Sequence, residues 1–334
     1  MGVMENNKWV VWLLIVVVVL GGIWFVWKDN QKASSVTGPI KVGVVQITSH
    51  PVFDMINEGI KEGFAAEGYV EGENISFDIQ NAQGDNSANA AIAQKFANSD
   101  YNIFIPLGTP SSQAVVNLIK DRPIVFGAVT DPVTAGIVAS NEKPGANVTG
   151  TSDITLYKEQ LELLKKLVPN AKKIGIVYNP GEANSQYGLD QAKIYASQLG
   201  LELVTAPANN SGEILSAARS LVDKVDAFYM TPDNTVVSGQ EALIKVALDA
   251  KKPLISLDQS GVEKGALATL GTNYKYVGIR TAEMAIRVLK DEKPENVPVL
   301  GVTDADLFVN TTTAAAIGIT IPQDLLSTAK ETYK

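Results

Sequence analysis

The feature that most constrains this chain is an order of segments that occurs twice. Lys41-Val42-Gly43-Val44-Val45 is echoed by Lys173-Ile174-Gly175-Ile176-Val177, and Ile103-Phe104-Ile105-Pro106-Leu107-Gly108-Thr109-Pro110 by Ala227-Phe228-Tyr229-Met230-Thr231-Pro232. Arg122-Pro123-Ile124-Val125-Phe126 returns as Lys252-Pro253-Leu254-Ile255-Ser256. Between these short apolar runs lie longer stretches with helical spacing, at residues 52–67, 87–98 and 110–120 in the first half. Strands separated by helices imply parallel sheets with right-handed crossovers. The predicted fold class is therefore α/β, with two doubly wound parallel-sheet domains in tandem. A chain of 334 residues, 46% hydrophobic and 19% charged, can bury two ordinary cores and hardly a third.

The two units are expected to exchange chain more than once. ALATLGTNY and the helical stretch 275–290 read as a return to the first domain, with VPVL as a further strand there. LFVNTTTAAAIGITIP then reads as a strand and helix of the second. The expected domains are residues 40–150 with about 270–300, and residues 151–269 with about 301–334. Three crossings predict a multi-strand hinge, which favours bending over sliding.

Ahead of the first strand, Trp9 to Trp27 is a run of 19 residues without a charge. As a helix it would span roughly 28 Å, close to the hydrocarbon thickness of a bilayer. All four tryptophans of the chain lie in it, two at each end, as interfacial indoles do. Residues 1–28 are expected to be a membrane anchor, with a cleaved signal peptide as the rival and Ala33-Ser34-Ser35 as its processing site. Residues 29–39 read as a flexible tether. The expected location is the cytoplasmic membrane, held through residues 9–27, with the binding domains on the extracytoplasmic side.

In open parallel sheets, ligands sit beyond the carboxyl ends of the strands, where helix N-termini present free N–H groups. Thr109-Pro110-Ser111-Ser112 and Thr231-Pro232-Asp233-Asn234 both fall there, and each is equally a helix start with Pro in the first turn and polar caps around it. Two such ends facing one another would rim a cleft that a small molecule could fill. Other strand ends add His50-Pro51, Thr130-Asp131, Asn184-Ser185, Asp258 and Asn273-Tyr274. A zwitterion would need an acid for its ammonium, which Asp258, Asp233 or Asp131 could supply. Its carboxylate would need donors, which Ser111, Thr130, Ser185 and the helix N-termini could supply.

Other chemistries find little footing. His50 is the sole histidine and there is no cysteine, which leaves no usual transition-metal site, disulfide or lipid-modified cysteine. No G-x-S-x-G elbow, G-x-G-x-x-G or G-x-x-x-x-G-K-[ST] occurs. Neither an enzyme nor a bound metal or cofactor is expected. The net charge is −8 with Lys and Arg dispersed, which argues against nucleic acid as a partner.

HPVFDMINEGIKEGFAAEGYVEGENISFDIQNAQGD, FGAVTDPVTAGIV, PGANVTGTSD, IGIVYNPGEANS and KGALATLGTNY, in that order, resemble the solute-binding proteins of ABC importers in the type I periplasmic-binding fold. More narrowly, they resemble the subgroup that includes tryptophan- and tyrosine-binding members. The resemblance runs from about Ile40 to Leu326. It implies a clamshell that closes over a small molecule, with an amino acid as ligand, an aromatic one favoured, and an ABC permease with its ATPase as partners. By the same resemblance His50, Pro51, Thr109, Ser111, Gln113, Thr130, Asp131, Asn184, Ser185, Asp233, Asn234, Asp258, Asn273 and Tyr274 would line the interdomain cleft. The alternative is a ligand-sensing extracytoplasmic module that signals to a membrane partner. The N-terminus departs from the pattern of a cleaved signal or lipid-modified Cys.

Overall fold

The strands and helices alternate as the repeated segments require. The computed structural model describes residues 38–153 and 155–334. The expected span at 9–27 and the tether as far as residue 37 lie outside the described residues. Among the described residues, no helix is long and apolar enough to cross a membrane.

The first unit comprises β1 (Ile40–Gln46), α1 (Pro51–Ala66), β2 (Ile75–Asn81), α2 (Asn86–Ala97), β3 (Ile103–Leu107), α3 (Thr109–Leu118), β4 (Ile124–Phe126) and β5 (Val148–Asp153). The second comprises α4 (Tyr157–Leu167), β6 (Lys173–Tyr178), α5 (Ala183–Gln198), β7 (Glu202–Pro207), α6 (Ile214–Leu221), β8 (Ala227–Tyr229), α7 (Asn234–Ser238), α8 (Gln240–Asp249), β9 (Leu254–Ile255), α9 (Gln259–Glu263) and β10 (Ala268–Thr272). The chain then runs through α10 (Tyr274–Leu289), β11 (Leu300–Val302), β12 (Ala305–Asn310), α11 (Thr311–Ile317), α12 (Gln323–Thr328) and β13 (Glu331–Tyr333).

Two sheets result. One has six strands in the order β11-β5-β4-β3-β1-β2, all parallel. The other has seven, in the order β13-β12-β10-β9-β8-β6-β7. The inner order 2-1-3-4-5 of the first reappears in the second as 7-6-8-9-10, so the sequence echo is a topological repeat. Each sheet has an apolar cluster on both faces, around Phe64 and Phe96 in the first unit and around Tyr229 and Phe228 in the second. Buried on both sides, the central strands read as continuous apolar runs rather than alternating ones.

Two details differ from expectation. The added strand of the first sheet lies at Leu300–Val302, just beyond the centre of VPVL. The second sheet is mixed rather than wholly parallel, because β12 runs antiparallel to β10. Only Thr303 and Asp304 separate β11 from β12. Since β11 points out of the first sheet at its carboxyl edge, its continuation enters the second sheet from that same edge, against the direction of that sheet's own parallel strands.

One helix pair ties the late part of the chain to its beginning. Helix α10 follows β10 of the second sheet but packs along α1 of the first unit. Gly59 and Gly63 on α1 meet residues 275–282 of α10, and Gly278 meets Ile56 and Gly59 in return. A Cβ on Gly59 would overlap the Lys275 carbonyl oxygen, and one on Gly278 the Ile56 carbonyl oxygen. Both obstacles are backbone and cannot rotate away. The matched order of contacts makes the helices parallel, so their N-termini, at His50 and Asn273, lie at one end. Gly278→Ala is expected to push the two backbones apart and cost about 1–3 kcal/mol, the range for overpacking. A thermal melt of the variant checks it, and an unchanged Tm would contradict the close approach.

Candidate functional site

Helix N-termini converge where the carboxyl edges of the two sheets face each other. His50 Nδ1 caps α1 by accepting from Val52 N–H at 3.3 Å. Asp233 caps α7, Asp258 caps α9 and Asn273 caps α10 in the same way. The N-terminus of α3 has no side-chain cap; Gly108, at φ +78°, turns the chain into it, a conformation that favours glycine. Around these ends lies a small cavity of about 40 Å³.

Its walls are of two kinds. Val52, Phe53, Ala128, Pro232, Val237 and Leu257 supply apolar surface, and His50, Thr109, Thr130, Asp153, Asn184, Asp233, Asn234 and Tyr274 supply polar groups. No lysine or arginine lines it. Positive potential comes instead from backbone N–H groups at the helix starts.

Several polar atoms here are buried without a hydrogen-bond partner: Thr109 Oγ1, Asp153 Oδ1 and Asn184 Oδ1 on the wall, and Thr231 Oγ1 and Asp258 Oδ2 beside it. Each such atom costs about 1–3 kcal/mol while unpaired. Their concentration around one cavity marks a surface built to meet a polar molecule.

The acids are the strongest of these groups. Asp153, at the end of β5, is fully enclosed, and burial pushes its carboxyl up to about 7 despite the hydroxyl of Tyr274, which donates to Oδ2 at 3.3 Å. The Tyr274 phenol is raised in turn, by burial first and then by the nearby charges of Asp153 and Asp258. Asp233 is also pushed up to about 7, by burial and then by Glu182.

His50 joins the two units. Its Nδ1 accepts the helix cap, and its Nε2 edge turns toward the second unit. There it meets the side-chain amide of Gln240, the Ser260 hydroxyl at 3.3 Å and the Asp258 carboxylate at 4.0 Å. Burial lowers the pKa of His50, with Asp258 opposing the shift.

The residues expected from sequence divide by placement. His50, Thr109, Thr130, Asn184, Asp233, Asn234 and Tyr274 line the cavity. Pro51 opens α1 behind His50, and Asn273 caps α10 behind Tyr274. Asp258 sits at the interface with His50. Ser185 donates to Asp233 Oδ2 at 2.6 Å and holds that carboxylate in place. Ser111 is buried on Asn89, and Gln113 donates to the Ala135 carbonyl, so both point into the first unit. Asp131 faces a separate, wider hollow with Tyr187, Gln191 and Tyr195.

Asp153 and Glu182 were not among the expected residues. Asp153 closes the buried strand VTGTSD where the chain leaves the first sheet, and an acid at such an end was the available signal. Glu182 directly precedes α5, where it passes for an ordinary cap. Among the described residues, no three His, Cys, Asp or Glu side chains gather as a metal site requires.

Comparison with known proteins assigns the chain to a family. The family model of ABC transporter substrate binding proteins matches residues 41–333. The chain belongs to this family. Among curated relatives, this substrate-binding protein is 40% identical over 289 residues to a tyrosine-binding protein of Clostridioides difficile, covering 86% of this chain and 84% of that one. Among solved structures, it is 34% identical to an ABC domain from Streptococcus pneumonia in complex with L-Trp, with a TM-score of 0.86 over 88% of this chain and all (100%) of the other. It is 39% identical to the ligand-free, open structure of a substrate binding protein with adhesive properties from Clostridium difficile, with a TM-score of 0.67 over 88% and 100% of the two chains.

Burial of Asp153 sets a stability prediction for the ligand-free substrate-binding protein. With its pKa raised from 3.8 to about 7, folding takes up a proton between those values. Its contribution to stability is therefore fully present below about pH 4 and is lost as pH rises through 7. Asp153→Asn keeps an acceptor for Tyr274 and removes the buried charge. At pH 8 it should stabilise the ligand-free protein by about 2–4 kcal/mol, each pH unit of that window being worth about 1.4 kcal/mol. Urea unfolding at pH 5 and pH 8 checks this, and a gain no larger at pH 8 than at pH 5 would refute it.

Proposed function

We propose that this substrate-binding protein captures an aromatic amino acid outside the cytoplasmic membrane, closes its two α/β units over it, and presents the closed form to an ABC permease and its ATPase. The observation that carries the reading is the cavity's inventory: unpartnered acids and acceptors, uncapped helix N–H groups, apolar walls and no basic side chain of Lys or Arg. The ligand's ammonium is assigned to Asp153 and Asp258, both of whose charges act on the Tyr274 phenol. Its carboxylate is assigned to the α3 N-terminus and to the hydroxyls of Thr109 and Thr130, where a zwitterion finds donors without a basic side chain. Phe53, Pro232, Val237 and Leu257 are the surfaces for its ring. A tyrosine-binding relative and an L-Trp-bound structural neighbour, both above 30% identity, support the aromatic class.

A ligand can shift the open and closed populations only through contacts that differ between them. Here the walls come from both units, and His50 meets Gln240 and Ser260 across the division. The higher TM-score to the L-Trp complex than to the ligand-free open structure, at similar identity, supports a closed arrangement. The three chain crossings, after β5, β10 and β11, are where bending would occur.

The test is calorimetry on residues 39–334, refolded to strip carried ligand, against L-Tyr, L-Trp, L-Phe, L-Leu and glucose. Binding of aromatic amino acids alone is expected; at 100 times its dissociation constant the ligand should add about 2.7 kcal/mol to stability. Asp258→Ala should lower affinity at least about tenfold while costing the fold only about 1 kcal/mol for the lost α9 cap. Affinity should also weaken below pH 7, approaching about tenfold per unit, because Asp153 must give up its proton to receive an ammonium. Binding of glucose and of no amino acid would overturn the ligand class.

A further inference from the structure

Glu182 lies just behind the cavity wall, 8% exposed, and touches no part of the cavity itself. Six N–H and O–H groups of four residues converge on its carboxylate. Oε2 accepts from the Asn234 backbone N–H at 3.1 Å, the Asn234 side-chain amide at 2.7 Å and the Asn184 side-chain amide at 3.1 Å. Oε1 accepts from the Thr235 N–H at 2.9 Å, the Thr235 hydroxyl at 2.7 Å and the Asn179 side-chain amide at 3.5 Å.

These bonds decide which way two wall residues face. Asn184 spends its amide N–H groups on Glu182 and on the Pro232 carbonyl, also at 3.1 Å, which leaves its Oδ1 buried and unpartnered. Asn234 is turned the same way. Its amide nitrogen is held by Glu182, and its Oδ1 faces across toward α3, 3.6 Å from where a Cβ on Gly108 would stand. The Thr231 hydroxyl, next to Pro232 in the chain, is unpartnered as well. An acid that accepts every nearby donor has thus converted two amides, groups that can donate or accept, into acceptors. They are set among Pro232, Val237 and Leu257, an apolar surface suited to a ring.

We propose that Glu182 is a specificity-determining positioning residue: by fixing the amides of Asn184 and Asn234 with their oxygens toward the cavity, it makes that wall demand a hydrogen-bond donor on the ligand's side chain. A phenol or an indole N–H satisfies the demand. A phenyl ring leaves the acceptors buried and unpaired, and sites built around such groups reject the analogue that lacks the partner. The inference rests on the aromatic amino-acid reading above and adds the basis of choice within that class.

The experiment compares L-Tyr, L-Trp and L-Phe on the full-length chain by calorimetry, in wild type, Glu182→Gln and Asn184→Ala. Wild type is expected to bind tyrosine or tryptophan at least tenfold more tightly than phenylalanine. In Glu182→Gln an amide replaces one oxygen against the two asparagines, so one of them must turn and present N–H instead. Affinity for the donor-bearing ligand should then fall at least tenfold, with that for phenylalanine changed less than threefold. Asn184→Ala leaves five of the six bonds to Glu182 in place and should give the same collapse, which decides the matter if Glu182→Gln fails to fold by circular dichroism. An equal fall for all three ligands, as a merely structural role or an ammonium held by this wall would give, overturns the proposal. So does an unchanged profile. Wild type that binds none of the three overturns the aromatic reading itself, and with it this one.

Discussion

The architecture depends on the contact between α1 and α10, two helices more than 200 residues apart in the chain that touch backbone to backbone through Gly59, Gly63 and Gly278. Because they run parallel, a single packing decision delivers two site residues to one rim: His50 at the start of α1 and Tyr274 at the start of α10. It also obliges the chain to return from the second sheet to the first after β10. The crossing to β11 and the antiparallel entry of β12 follow from that return. Side chains at those glycines would separate the helices and with them the polar rim of the cavity.

Around that rim the protein concentrates charge that it does not neutralise internally. Asp153, Asp233 and Asp258 are all buried, and among the described residues none has a lysine or arginine within ion-pairing distance. What holds them is weaker: the Tyr274 hydroxyl on Asp153, the cap of α9 on Asp258, and Ser185 with two backbone N–H groups on Asp233. Asp153 and Asp233, whose carboxyls burial raises, oppose folding at neutral pH, and acids buried at this rim give a cationic ligand group its reason to enter. Stability in the ligand-free state and affinity are drawn from the same residues, with opposite sign.

The polar strand ends were legible in the sequence because the residues that start helices, Ser, Thr, Asp and Asn, are those that can also meet a ligand. That double use equally explains the misplacements. Ser111 sits one turn inside α3 and is spent on Asn89, whereas Thr109, two residues earlier, reaches the cavity. Asp131 accepts from Thr134 N–H at 2.7 Å and caps its own turn facing the wider hollow. Asp153 carried only the weak signal of an acid at a strand end, and Glu182 that of an ordinary cap. Their weight comes from burial, and burial is a property of what packs over a residue rather than of its neighbours in sequence.

The sequence by itself determined the two α/β units, their repeated strand order and the edge of each sheet on which polar groups would gather, because these follow from apolar periodicity, strand length and capping chemistry, all local. Only the tertiary structure decided which acid lies nearest the cavity, that Glu182 turns two asparagines toward it, and that His50 reaches across to Gln240 and Ser260. Each of these depends on the distance and orientation between segments 50 to 210 residues apart, and a one-dimensional pattern holds no measure of either.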